Sequence, residues 1–206
     1  MSTNAPLRLL LADDQSLVRA GLAALLDLEP DMEVVAQTDS GADVVALVHE
    51  QAVDVALLDV EMPDVDGIEA AAVLRDSGSE CRVLIVTTFG RPGYLSRALE
   101  AGADGFVVKD VPAEQLAEAV RRVSRGERVV DPSLAAETLS LGGSPLTERE
   151  RDVLRAALEG APVRQIAATL HLSPGTVRNH LSSAIGKTHT STRAEAAAVA
   201  RDRGWL

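Results

Sequence analysis

The chain has 206 residues, 46% hydrophobic and 25% charged, with a mean hydropathy of +0.08, a mixture that excludes intrinsic disorder and allows one or two small domains. A single cysteine, Cys81, excludes an intrachain disulfide, and the apolar run Leu9 to Ala12 is too short for a signal peptide or a membrane span, so a cytoplasmic protein with no membrane insertion is expected. The net charge of −11 is uneven: the first 131 residues carry 24 Asp/Glu against 11 Lys/Arg and the rest 7 against 9, so two domains with different partners are expected and nucleic acid is not excluded.

In chain order, apolar runs at Leu7–Ala12, Glu33–Ala36, Val53–Leu58, Arg82–Thr87 and Gly105–Val108 read as strands. Segments of helical period lie between and after them, at Ser16–Leu28, Ala42–Glu50, Ile68–Asp76, Pro92–Ala101 and Pro112–Arg125, with Ser40 as an N-cap and Gly102 and Gly126 as stops. Near-continuous apolar strands alternating with helices predict an α/β fold, a doubly wound five-stranded parallel sheet covered on both faces. From Glu127 to Pro145 the pattern lapses at Asp131-Pro132 and Gly142-Gly143-Ser144-Pro145, although Leu134–Leu141 has the pattern of a short helix. The expected organisation is a first domain over 1–127, a linker over 128–145 and a second domain over 146–206.

The second domain is helical throughout. Thr147–Glu159 opens with the capping box Thr147/Glu150, Val163–Leu170 ends at His171-Leu172-Ser173, and Ser173 then N-caps a helix with Pro174 at its first position. Val177, Leu181 and Ile185 recur on one face of that helix to about Lys187, and the capping box Thr192/Glu195 opens an Ala-rich helix through Asp202. Two short helices joined by a tight turn and braced by two more predict a small all-α four-helix domain of helix-turn-helix type.

Chemistry in the first domain is expected where strands end, because ligands of a doubly wound sheet bind beyond the carboxyl ends at the switch point. Asp13, Asp14, Asp59, Thr87 and Lys109 all stand there. Clustered carboxylates repel one another unless a hard cation neutralises them, and oxygen-only ligation suits Mg²⁺. With Lys109 as a point charge and Thr87 as a hydroxyl donor, phosphoryl transfer onto a carboxylate is the reaction this set supports. A lone Asp after a strand is ordinarily a cap or loop residue; several matching groups at successive strand ends argue against that reading.

Leu-Leu-Ala-Asp13-Asp14, Leu57-Leu58-Asp59-Val60-Glu61-Met62-Pro63 with Gly67, Val86-Thr87-Thr88 and Phe106-Val-Val-Lys109 resemble the receiver domain of bacterial two-component response regulators over residues 5 to 127. The resemblance implies a flavodoxin-like sheet of order 2-1-3-4-5 and an Asp59 that accepts a phosphoryl group from a histidine kinase. Asp14, Asp59 and the Glu61 carbonyl would ligate Mg²⁺, with Asp13 helping through water. Thr87 and Phe106 would be the switch pair, Thr87 moving toward the phosphoryl group and Phe106 turning inward. Phe89, two residues after Thr87, would border the path of attacking water and so imply slow self-dephosphorylation; it reads equally well as a ring that packs in the loop.

Leu146-Thr-Glu-Arg-Glu150, Gln165-Ile-Ala167, Leu170, Ser173 and Thr176-Val-Arg-Asn-His-Leu181 resemble the LuxR-type helix-turn-helix, which together with the first match implies the NarL/FixJ class. The resemblance places helix 174–187 in the major groove of promoter DNA, with Arg178, Asn179 and Ser182 facing bases or phosphates and Thr176 and Lys187 at the backbone. His180 reads equally well as a packed residue. Gly186 and Thr188 depart from the family pattern and are expected to weaken the end of this helix. The small positive charge of the domain implies weak binding by one copy, hence a homodimer on phosphorylation. Arg91-Pro92-Gly93-Tyr94 and Arg203-Gly-Trp205-Leu206 resemble the branch that includes regulators of fatty-acid desaturation driven by membrane-sensing kinases. Two alternatives stand beside this reading. One is a regulator that binds DNA without phosphorylation; the other is an aspartyl-phosphate phosphatase, suggested by Asp64-Val-Asp66-Gly67, whose place in a loop after Met62-Pro63 points instead to turning the chain into the third helix.

Overall fold

The computed structural model describes residues 5–88, 90, 92–131, 134–136, 144–158 and 160–206. In its first part β1 (Leu7–Ala12), β2 (Met32–Thr38), β3 (Val55–Leu58), β4 (Arg82–Thr87), β5 (Gly105–Val108) and β6 (Val129–Val130) form one parallel sheet of order 2-1-3-4-5-6. Residue alternation along each strand decides which helix it packs on. Leu9, Leu11, Val55, Leu57, Leu84 and Val86 face α1 (Ser16–Leu26) and α5 (Ala113–Ser124), where they meet Ala23, Leu26, Leu116, Val120 and Val123. Leu10, Ala12, Ala56, Leu58, Val83 and Ile85 face α2 (Val44–Glu50), α3 (Gly67–Asp76) and α4 (Pro92–Glu100), where they meet Val48, Ile68, Leu74, Leu95 and Ala98. With both faces covered, a central strand such as β3 is buried at every residue, and each buried Leu or Val contributes roughly 1.5–3 kcal/mol.

Element bounds shift by a few residues, as where β2 spans Met32–Thr38 and β3 begins at Val55, and two further features depart from the sequence reading. Ser40 caps as expected, but its hydroxyl accepts from Ala42 N only two residues on, at 3.2 Å, so the chain first makes a tight 3₁₀ turn at Gly41–Asp43 and α2 begins at Val44. The sheet also gains β6 inside the stretch read as linker: Val129 N donates to Asp104 O at 3.1 Å and Val129 and Val130 pair with Gly105 and Phe106. Two valines carry no alternation to announce a strand; the open edge of β5 organises them. Residues 134–136 are helical, and the remainder of the Leu134–Leu141 helix expected there lies outside the described residues. Gly102 and Gly126 end α4 and α5 at φ +96 and +80, as their placement as stops requires.

The remainder of the chain builds a separate core. It consists of α6 (Glu148–Leu158), α7 (Val163–Thr169), α8 (Pro174–Thr188) and α9 (Arg193–Asp202), which bury Val153, Leu154, Ile166, Val177, Leu181, Ala184, Ala197, Ala200 and Trp205 together. Both capping boxes form. Ser173 accepts from Thr176 N at 3.1 Å with Pro174 beginning α8. Despite the weakening expected at Gly186 and Thr188, α8 continues through Gly186 to Thr188, whose buried hydroxyl donates to Ala184 O at 2.9 Å, and His189, at φ +54, closes the helix. Among the described residues no helix is long and apolar enough to cross a membrane.

Candidate functional site

The sheet order reverses direction between β1 and β3, and that switch point is where the carboxylates collect. Asp13 follows β1 and Asp59 follows β3, and the strands are in register, Ala12 beside Leu58, with Asp59 N donating to Ala12 O at 2.8 Å. Asp13 Oδ1 accepts from Gln15 N at 2.9 Å, which turns the chain into α1 and fixes this carboxylate. Ligand oxygens of Asp13, Asp14 and Asp59 all lie within 4.8 Å of one another; Asp13 and Asp59 are buried and Asp14 is exposed.

Lys109, just beyond β5, reaches across to this cluster. Its Nζ is 2.7 Å from Asp59 Oδ2, as a hydrogen bond, and 2.7 Å from Asp13 Oδ2, a close ionic contact that is poorly aligned as a hydrogen bond. Lys109 N donates to the carbonyl of Thr87, itself fully buried at the end of β4, so backbone pairing of β4 with β5 brings lysine and threonine to the same end of the sheet. Burial is the largest influence on the Asp59 carboxyl and raises its pKa; Lys109 opposes it and Asp13 reinforces it. Burial works to lower the Lys109 pKa, but its contacts with the Asp13 and Asp59 carboxylates outweigh burial and hold the ammonium above its ordinary value.

Three carboxylates against one ammonium leave an excess of negative charge, and Asp59 Oδ1 is buried with no hydrogen-bond partner among the described residues. An orphaned buried carboxylate oxygen is costly unless a cation meets it. The donor set is oxygen only, so the residues present fit Mg²⁺.

The surrounding loops hold the set in place. Gly67 starts α3 so close to Asp59 that a Cβ there would lie 2.1 Å from the Asp59 carbonyl oxygen. Asp66 N-caps the same helix, accepting from Glu69 N at 2.7 Å, and pairs with Arg97 of α4 at 3.3 Å. This is the chain-turning role expected of Asp64-Val-Asp66-Gly67. The backbone of Glu61 helps to hold Asp59 charged, and the Glu61 carboxylate accepts from the Tyr94 hydroxyl at 3.4 Å. Phe106 is 1% exposed, packed inward on β5. Phe89 and Arg91 lie outside the described residues.

In the helical domain Arg178, Asn179 and Ser182 are exposed on α8 and Thr176 is half-buried, its hydroxyl hydrogen-bonded to that of Ser173 at 2.8 Å. Lys187 stands apart from them. Its Nζ lies 2.7 Å from Glu150 Oε2, a carboxylate buried at the start of α6. Glu150 is the residue whose importance the sequence reading missed: the capping box announced its bond to Thr147 N, whereas its reach to α8 depends on how the helices pack.

Residues 9–121 match the response regulator receiver domain and residues 144–200 match the bacterial regulatory proteins of the luxR family. The chain is 42% identical over 196 residues to the transcriptional regulatory protein DesR of Bacillus subtilis (strain 168), covering 95% of this chain and 97% of that one. It is 33% identical over 200 residues to the response regulator protein VraR of Staphylococcus aureus (strain NCTC 8325 / PS 47), covering 92% and 94%. Among solved structures it is similar to the response regulator ChrA of a heme-sensing two-component system, with a TM-score of 0.60 at 33% identity, covering 98% of this chain and all of that one. With both domain types present in this order and relatives aligned along nearly its whole length, the protein belongs to the two-component response regulators of the NarL/FixJ class, transcriptional regulators with a receiver domain and a LuxR-type DNA-binding domain.

Proposed function

We propose that Asp59 is the phosphoryl acceptor and that its phosphorylation by a histidine kinase drives dimerisation and promoter binding in the cytoplasm. The observation that carries this reading is the buried Asp59 carboxylate at the sheet's switch point, held by Lys109 at 2.7 Å through one oxygen while the other has no hydrogen-bond partner among the described residues. Asp14, Asp59 and the Glu61 carbonyl would hold Mg²⁺, with Asp13 assisting, and the metal would supply positive charge to the phosphoryl oxygens. An Asp59 carboxylate oxygen attacks phosphorus, a P–O bond forms, and the P–N bond of the kinase phosphohistidine breaks with its electron pair returning to the imidazole. Among the described residues Lys109 is the ammonium placed to neutralise the charge that arrives. The Thr87 hydroxyl donates to the phosphoryl group, and Thr87 and Phe106 act as the switch pair.

Arg178, Asn179 and Ser182 support major-groove reading by α8, since Arg and Asn match guanine and adenine edges and all three side chains face solvent. Thr176 would contact the DNA backbone. Mg²⁺-dependent labelling by acetyl phosphate tests the acceptor. Asp59→Asn is expected to abolish it; normal labelling of that variant would sink the assignment, and equal labelling in chelator would remove the metal from it.

A further inference from the structure

Glu150 uses both carboxylate oxygens. Oε2 accepts from Thr147 N and from Lys187 Nζ, each at 2.7 Å, and Oε1 accepts from Ser183 Oγ at 2.6 Å. Ser183 and Lys187 are four residues apart and therefore one above the other on a single face of α8. One carboxylate at the start of α6 thus grips α8 at two points a turn apart. The core face of α8, Val177, Leu181, Ala184 and Thr188, lies to one side of this grip. At 3.6 residues per turn Arg178 and Ser182, also four apart, occupy the opposite flank of that core face. Apart from Thr188 this core face is small and branched apolar side chains, and the polar grip adds directional contacts that a rotation of α8 about its axis would break. The Glu150 side chain is 5% exposed against 34% for Lys187, so most of the pair is shielded from the salt that would weaken a surface contact.

We propose that Glu150 is a positioning residue for DNA reading: through Ser183 and Lys187 it sets the rotation of α8 about its axis, and Lys187, its charge matched within the domain, is a strut and not a phosphate contact. The inference rests on the reading of α8 as the helix that enters the groove. It revises the expectation, from family resemblance, that Lys187 sits at the DNA backbone.

The test uses the full-length chain, one mixed-sequence duplex and one duplex selected by the wild-type chain from a randomised pool, titrated over a range of salt. Lys187→Met keeps the length of the side chain and removes its charge. Its slope of log affinity against log salt should equal that of wild type, whereas loss of a phosphate contact would lower the slope by about 0.9. Affinity for the selected duplex should fall roughly three- to tenfold with the mixed-sequence duplex unchanged, and Lys187→Arg should restore the preference. Glu150→Gln should lose preference in the same way. Fluorescence of Trp205, the single tryptophan, buried in this domain's core, checks that each variant is folded at the assay temperature. A lowered slope in Lys187→Met, or a lowered melting temperature with both affinities unchanged, overturns the strut. Arg178→Ala separates the two levels: if it changes binding to neither duplex, the groove-reading assignment of α8 fails, and the strut with it.

Discussion

Single residues hold this site together by contacts that few substitutes could make. Gly67 is one: an added Cβ would come within 2.1 Å of the Asp59 carbonyl oxygen, a backbone atom that cannot swing away as a side-chain tip can. Gly67→Ala must displace the loop that carries Asp59, and a loss of about 1–3 kcal/mol is expected, with acetyl-phosphate labelling falling in parallel if Asp59 is the acceptor as proposed. Thermal unfolding followed by circular dichroism reads the first; wild-type stability in this variant would show that the loop yields freely. Glu150 is the other, its carboxyl pKa at about 2 in the folded chain. Burial works to raise that value, and the Lys187 ammonium, the Ser183 hydroxyl and Thr147 overcome it. Unfolded, the group titrates near 4.3, so its stabilisation is complete above that pH and is lost as pH falls toward about 2, on the order of 2–3 kcal/mol in all. Urea unfolding read through Trp205 should therefore show a steeper acid loss for the wild type than for Glu150→Gln; parallel curves would mean the grip contributes nothing to stability.

Among the elements, the contrast between buried and surface charge decides which ion pairs matter. Arg121 of α5 bonds Asp31 at 2.7 and 2.8 Å and Glu29 at 2.6 Å, tying α5 to the turn before β2 and raising the arginine's pKa further through hydrogen bonds to Asp31 and Glu29. The geometry is close, yet the Asp31 side chain is 50% exposed, and water and salt reduce such pairs to about 0.2–1 kcal/mol. Arg121→Met should cost less than about 1 kcal/mol in denaturant unfolding, and less still at high salt. A loss of several kcal/mol would mean that the pair is an organising contact of the fold. Lys109, whose side chain is 10% exposed, belongs to the other class: its removal leaves the buried Asp13 and Asp59 facing each other without a cation.

For the whole molecule, the uneven charge sets what phosphorylation has to accomplish. The second part of the chain carries only two more cationic than acidic residues, a small charge for holding DNA through one copy, and under the proposed function two copies on adjacent half-sites would supply contacts at high effective concentration. Sedimentation of the full-length chain should show a monomer becoming a dimer on acyl-phosphate formation, with the salt slope for the selected duplex roughly doubling. If the phosphorylated chain stays monomeric while its DNA affinity has risen, dimerisation is not the switch.

Local patterns in the sequence determined much of this protein. The five apolar runs became β1 to β5 because a sheet covered on both faces demands them unbroken, and Ser173, Pro174 and the two Thr/Glu boxes began their helices because capping is completed within four residues. The acidic cluster and Lys109 could be placed as well, since strand ends in a parallel sheet share one edge. Tertiary structure alone decided the rest. β6 exists because β5 offered an open edge, and Lys187 is bound to Glu150 because α6 and α8 cross where those side chains meet. Both depend on partners far apart in sequence, 24 residues from Gly105 to Val129 and 37 from Glu150 to Lys187, and no periodicity within either segment encodes the other.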